Sequence, residues 1–84
     1  MNQVTLPEAD SVLDTEGLLC PEPVMLLHSK IREMEEGDIV KVLATDPSTT
    51  RDIPKFCHFL DHELVAEAHT DDSYVYFIKK SGGG

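Results

Sequence analysis

Val24, Leu27, Ile31 and Met34 recur at steps of three and four, and this stripe limits what the 84-residue chain can fold into. Apolar side chains at that spacing line one side of a helix, which then needs an apolar surface to cover it. A candidate surface follows at once. Ile39-Val40-Lys41-Val42-Leu43-Ala44-Thr45 is rich in β-branched residues, as a well-buried strand is. Upstream, Ser11-Val12-Leu13-Asp14 is a candidate short strand that ends at the turn signal Thr15-Glu16-Gly17. Strand, helix and strand in so short a span predict a parallel pair with a right-handed crossover.

The first helix is expected to open at Pro21, whose missing N–H has no intrahelical duty at the first helical position. Pro23 falls within the same turn, where no N–H has an intrahelical partner. Gly37 is the predicted stop. That boundary places Glu33, Glu35 and Glu36 in a last turn where the macrodipole disfavours negative charge.

Ile53, Phe56, Cys57 and Leu60 draw a second helical stripe. Asp46-Pro47-Ser48-Thr49-Thr50 reads as a turn followed by capping residues, and Thr49 with Asp52 three positions on resembles a capping box. Pro54 sits inside the stripe, so either the first turn is distorted or the helix starts later than the cap implies. Leu64 to His69 and Tyr74 to Lys79 flank the polar turn Thr70-Asp71-Asp72-Ser73 and read as an antiparallel hairpin. The order βαβαββ predicts an α/β two-layer sandwich, with two helices on one face of a mixed four-stranded sheet. Residues 1–10 are expected to form a flexible arm, 11–80 a single domain, and 81–84 a flexible tail.

With two cysteines the chain cannot rest on a disulfide framework, so its 40% apolar residues must supply the core. No apolar run reaches membrane-spanning length, and the N-terminus does not read as a secretory signal. These features predict a cytoplasmic protein with reduced thiols. The net charge of −9 repels phosphate backbones, which argues against stable nucleic-acid binding. It fits either a solubilising surface or steering toward a protein with a positive face.

Leu19-Cys20-Pro21-Glu22-Pro23 puts a thiol at the expected mouth of the first helix. A thiolate there would gain from unpaired N–H groups and the positive dipole end. Pro21 and Pro23 supply no donors, which leaves the amides of Glu22 and Val24 to face the sulfur. Glu22 opposes ionisation, so the sequence predicts a moderately activated thiol. The alternative is a buried, unreactive Cys20 acting only as a cap. No CxxC partner is present for dithiol exchange.

Gly17-Leu18-Leu19-Cys20-Pro21-Glu22-Pro23-Val24-Met25, with Asp46-Pro47-Ser48-Thr49-Thr50-Arg51-Asp52-Ile53-Pro54 and Phe56-Cys57-His58-Phe59, resembles the TusA (SirA-like) sulfur-carrier family. The resemblance runs from about Leu13 to Lys80. It implies the βαβαββ sandwich and a sulfurtransferase-type carrier in which Cys20 forms a persulfide intermediate. A cysteine desulfurase would be the donor and a downstream relay protein the acceptor, in a relay leading to 2-thiolation of tRNA wobble uridine. Other pathways, such as molybdenum-cofactor or sulfur-oxidation metabolism, and a non-catalytic regulatory interaction module stay open. Pro21, Glu22 and Pro23 match the family's helix start, and Met25, Asp46 and Arg51 its surrounding surface. Some members carry a basic residue where this chain has Leu19, or in the second turn where it has His28 and Ser29.

Cys57 lies on the second stripe and is expected in the core. His58 and His62 stand four apart but lack a convincing third metal ligand, and no cofactor is implied. Asp46 and Asp52 are assigned to turn and capping, and Arg51 either to a persulfide anion or, preferably, to a pair with Asp46. Met25 and Phe59 lie off the stripes, as an exposed docking patch or as fillers at the sheet edge. Gly82-Gly83-Gly84 is read as a loose tail rather than a thiocarboxylate-forming terminus.

Overall fold

A computed structural model describes residues 8–81. Residues 1–7 of the expected arm and 82–84 of the expected tail therefore lie outside the described residues. Six elements follow in the order β1 (Ser11–Thr15), α1 (Glu22–Glu33), β2 (Ile39–Ala44), α2 (Thr49–Leu60), β3 (Glu63–His69) and β4 (Tyr74–Lys79). The sheet runs β1-β2-β4-β3, with β1 and β2 parallel and the other two pairings antiparallel. Asp10, at the end of the expected arm, is tied to the sheet: its N–H donates to the Ile39 carbonyl at 2.7 Å, and its carboxylate accepts the Ile39 N–H at 2.8 Å.

Strand alternation and the two helical stripes meet in one core. Val40, Val42 and Ala44 of β2 and Tyr76 and Ile78 of β4 point to the same side, because their register pairs Val40 with Ile78 and Val42 with Tyr76. Leu27 and Ile31 of α1 and Met34 just beyond its end cover them, with Ile53, Phe56 and Cys57 from α2. Both helices thus lie on one face, giving the expected two-layer α/β sandwich. On the opposite face the Lys41 ammonium stands 5.9 Å from the centre of the Phe77 ring. Burying this apolar surface is the main drive to fold, at ~25 cal/mol per Å² removed from water.

The helix ends differ from the sequence expectation. Pro21 is the N-cap rather than the first helical residue, and Pro23 is the proline inside the first turn. α1 ends at Glu33, four residues before Gly37. Met34 turns to extended backbone because its carbonyl takes the Lys80 ammonium at 2.7 Å and Asp38 accepts the Glu35 N–H at 3.1 Å. Gly37 instead serves the following turn, at φ +94°, where its N–H reaches the Lys80 carbonyl. Lys30 and Arg32 occupy the last turn, so the basic charge there suits the dipole; of the three glutamates only Glu33 is helical.

In α2 the capping box does not form. Ser48 is the N-cap, without a side-chain cap bond. The Asp46 carboxylate accepts the Ser48 N–H at 2.9 Å, and the Thr49 hydroxyl donates to the Asp46 carbonyl at 2.7 Å. Successive i to i−3 bonds at Thr49, Thr50 and Arg51 tighten the entry to the helix, which runs as one α-helix from Thr49 through Pro54, without the later start that the proline allowed.

Candidate functional site

The parallel pairing of β1 and β2 brings their C-terminal ends side by side, so the loop carrying Cys20 leaves the sheet next to the loop carrying Asp46. Cross-links fix that neighbourhood. The Thr15 hydroxyl donates to the Leu43 carbonyl at 2.7 Å, and the Gly17 N–H to the Thr45 hydroxyl at 2.8 Å. The Cys20 N–H donates to Asp46 Oδ2 at 2.6 Å. Asp46 itself is buried, and with Oδ1 on Ser48 and Oδ2 on Cys20 it joins the cysteine loop to the start of α2. These two backbone N–H donors hold its carboxyl below the usual carboxylate range, the Ser48 bond first and the Cys20 bond second.

Cys20 is exposed, which removes the buried-cap alternative. Its thiol donates to Asp52 Oδ2 at 3.1 Å, in the first turn of α2. The expected amide cradle is absent at Glu22, whose N–H is already bound to the Leu19 carbonyl at 2.9 Å. The thiol is accordingly raised, not lowered, from its ordinary value. Its hydrogen bond to Asp52 is the largest cause, followed by local desolvation and the negative charges of Asp52 and Asp46; Arg51 opposes them. The moderately activated thiol is therefore corrected: the opposing carboxylates are Asp52 and Asp46, reached only in three dimensions.

Arg51 also departs from expectation. It pairs with its neighbour Asp52, Nε to Oδ1 at 3.3 Å, and not with Asp46. Asp52 thus divides its oxygens between a guanidinium and the thiol. In the sequence Asp52 reads as a capping residue. No local pattern marks it otherwise, because its partner lies 32 positions away.

Beside Cys20, α1 and α2 leave a groove of about 480 Å³. Its apolar wall comes from Pro21, Val24, Phe56, Phe59 and Leu60, and its polar groups from Cys20, Asp52, His28 and Lys55. His28 meets Phe56 edge-on at 4.7 Å. Met25 and Phe59 are 59% and 72% exposed, so neither fills a gap at the sheet edge. Glu22 is exposed on the first turn of α1. Cys57 is buried in the core, and burial pushes its thiol up to about 11. Among the described residues no three His, Cys, Asp or Glu side chains gather as a metal site.

A family model described as Sulfurtransferase TusA matches residues 11–80. The chain belongs to the TusA family. Among curated relatives, the sulfur carrier protein TusA of Pseudomonas savastanoi pv. phaseolicola is 59% identical over 71 residues, covering 84% of each chain. A Pseudomonas aeruginosa protein of the same name is 58% identical over 71 residues, 84% of this chain and 90% of its own. A solved SirA-like protein from Desulfitobacterium hafniense superposes with a TM-score of 0.74 at 20% identity, covering 84% of this chain and 97% of the other. That likeness shows a shared fold. The matched span includes Cys20, Asp46 and Asp52.

Proposed function

We propose that this TusA-family protein is a cytoplasmic sulfur carrier that holds sulfur as a persulfide on Cys20. A cysteine desulfurase supplies the sulfur, and a downstream relay protein takes it on toward 2-thiolation of tRNA wobble uridine. The observation that supports this reading best is an exposed cysteine anchored through its own N–H on a buried carboxylate, beside an apolar groove. The sulfur can meet another protein's reactive atom while its backbone stays fixed, which favours transfer over a solvent-wandering thiol. Glu22, Met25, Arg51 and Phe59 would face the partners, with the net charge of −9 steering them toward basic surfaces. The relatives' names, sulfur carrier protein TusA, point the same way.

The test incubates the protein with a cysteine desulfurase and cysteine and follows intact mass. The wild type should gain one sulfur atom and Cys20→Ser none. A gain on Cys20→Ser would sink the assignment. In cells, a strain carrying Cys20→Ala should lose wobble-uridine thiolation; unchanged thiolation would favour a non-catalytic interaction role or another sulfur pathway.

A further inference from the structure

Asp52 lies in the first turn of α2, where an acid suits the helix dipole, and it also makes a contact that a helix start does not require. Its Oδ2 accepts the Cys20 S–H at 3.1 Å, while Oδ1 is held by Arg51 at 3.3 Å. The carboxylate is mostly covered, with 21% of its side chain exposed, whereas Arg51 is 70% exposed. The guanidinium orients the carboxylate, and the carboxylate addresses the thiol.

We infer that Asp52 is a catalytic residue, the proton acceptor and donor for Cys20 in both legs of sulfur transfer. The inference rests on the persulfide-carrier reading above and assigns a residue to its proton step. In loading, the Cys20 S–H bond breaks and the proton passes to Asp52 Oδ2. The freed electron pair forms a bond to the outer sulfur of a donor persulfide, R–S–SH. The donor's S–S bond breaks, and its pair leaves on the inner sulfur as a thiolate, which takes the proton from Asp52. Cys20 then carries –S–SH, the donor is a thiol, and no external oxidant or reductant is needed. In delivery the acceptor's thiol gives its proton to Asp52 as its sulfur attacks the outer sulfur of Cys20–S–SH. The S–S bond to Cys20 breaks, and Asp52 returns that proton to the departing Cys20 thiolate.

The surroundings argue for a fixed proton carrier. The groove beside Cys20 is largely apolar, and the carboxylate of Asp52 is the acceptor that the thiol contacts in it. The charged and titratable groups around the pair are Asp46 just before α2, Arg51 in its first turn, and His28 and Lys55 along the groove. The sulfur's hydrogen bond is made to Asp52 and not to His28 or Lys55. The same contact keeps the empty carrier as a thiol, which slows unwanted alkylation or oxidation between transfers.

Asp52→Asn separates proton transfer from the electrostatic brake, because the amide keeps the shape and an acceptor oxygen but cannot take a proton. The probe is a small-molecule alkyl persulfide, which removes partner docking from the measurement; single-turnover loading is read by intact mass. Asp52→Asn should load about 100-fold more slowly, within the range of general acid–base effects. Its reaction with iodoacetamide at neutral pH should become faster, since the carboxylate that holds the thiol protonated is gone. Opposite movement of the two rates supports the assignment. Loading that is unchanged or faster would overturn it, leaving Asp52 only as an electrostatic brake. Slowing of both reactions would also overturn it, as a mark of disturbed structure. Asp52→Glu retains a carboxylate and should lose less than Asp52→Asn; an equal loss counts against the proton role. If wild type gains no sulfur from the persulfide or from a desulfurase, the carrier reading itself fails, an outcome distinct from a defect confined to the variants.

Discussion

The backbone N–H of Cys20 donates to the buried carboxylate of Asp46 at 2.6 Å, across 26 positions of sequence. This bond fixes where the sulfur leaves the backbone, and the Asp46 bond to Ser48 ties the same point to α2. Asp46→Ala removes both acceptors. Sulfur loading of Cys20 should fall about 10- to 100-fold, the scale expected for a reacting atom displaced by an ångström. Because donor N–H groups depress the Asp46 carboxyl, the arrangement persists above the ordinary carboxylate range and is lost only as pH falls through the depressed value. Rates of single-turnover loading, with circular dichroism as a check on folding, decide the matter.

Thiol labelling should resolve the two cysteines by environment. Cys20 is exposed but held as a thiol by Asp52, so its alkylation rate should rise with pH to a midpoint above the usual cysteine value of about 8.5. Cys57 is buried and pushed up to about 11, and should react only after denaturation. Mass spectrometry of the labelled native protein should find one modified site. Two sites at equal rate would contradict the packing of α2.

The Thr49 hydroxyl joins the Asp46 carbonyl at 2.7 Å to the Tyr76 hydroxyl at 2.9 Å, binding the start of α2 to the middle of the sheet. Tyr76→Phe leaves Thr49 with its Asp46 partner and should cost about 1 kcal/mol, the net worth of one hydrogen bond. Leu27→Ala, at a fully buried position of α1, should cost about 3 kcal/mol because a cavity is left behind. Urea denaturation of the two variants checks both the size and the order of these losses.

His62 gives the fold a dependence on mild acid. Its Nδ1 accepts the Ser81 N–H at 3.1 Å, a bond that needs the neutral ring at that atom. Desolvation first, and then the charge of Lys80, lower its pKa against the opposing pull of Asp61. Above the ordinary histidine value both folded and unfolded chains are neutral there, and the group adds no slope. As pH falls below about 6.5 the unfolded chain takes up a proton first, so stability declines until the folded ring also titrates. His62→Asn should flatten that decline between neutral pH and mild acid. An unchanged slope would place its origin elsewhere.

Local periodicity in the sequence determined the elements of this protein. The stripes from Val24 to Met34 and from Ile53 to Leu60 form the inner faces of α1 and α2, and Tyr74 to Lys79 is β4 as read. These readings succeed because burial of a face repeats every turn or every second residue, and that repeat is written in neighbouring positions. The same local view put Cys20 just ahead of the first helix and the second helix over Ile53 to Leu60. It misplaced the end of α1, since the groups that stop the helix include Lys80, 46 positions from Met34. It also misjudged the thiol. Glu22 was visible beside Cys20, but the residues that set its proton are Asp46 and Asp52, brought there by the parallel pairing of β1 with β2 and the packing of α2. Electrostatics acts through space, at distances that sequence spacing does not encode. The sequence therefore placed a thiol ahead of α1, and the tertiary structure decided which carboxylates hold its backbone and its proton.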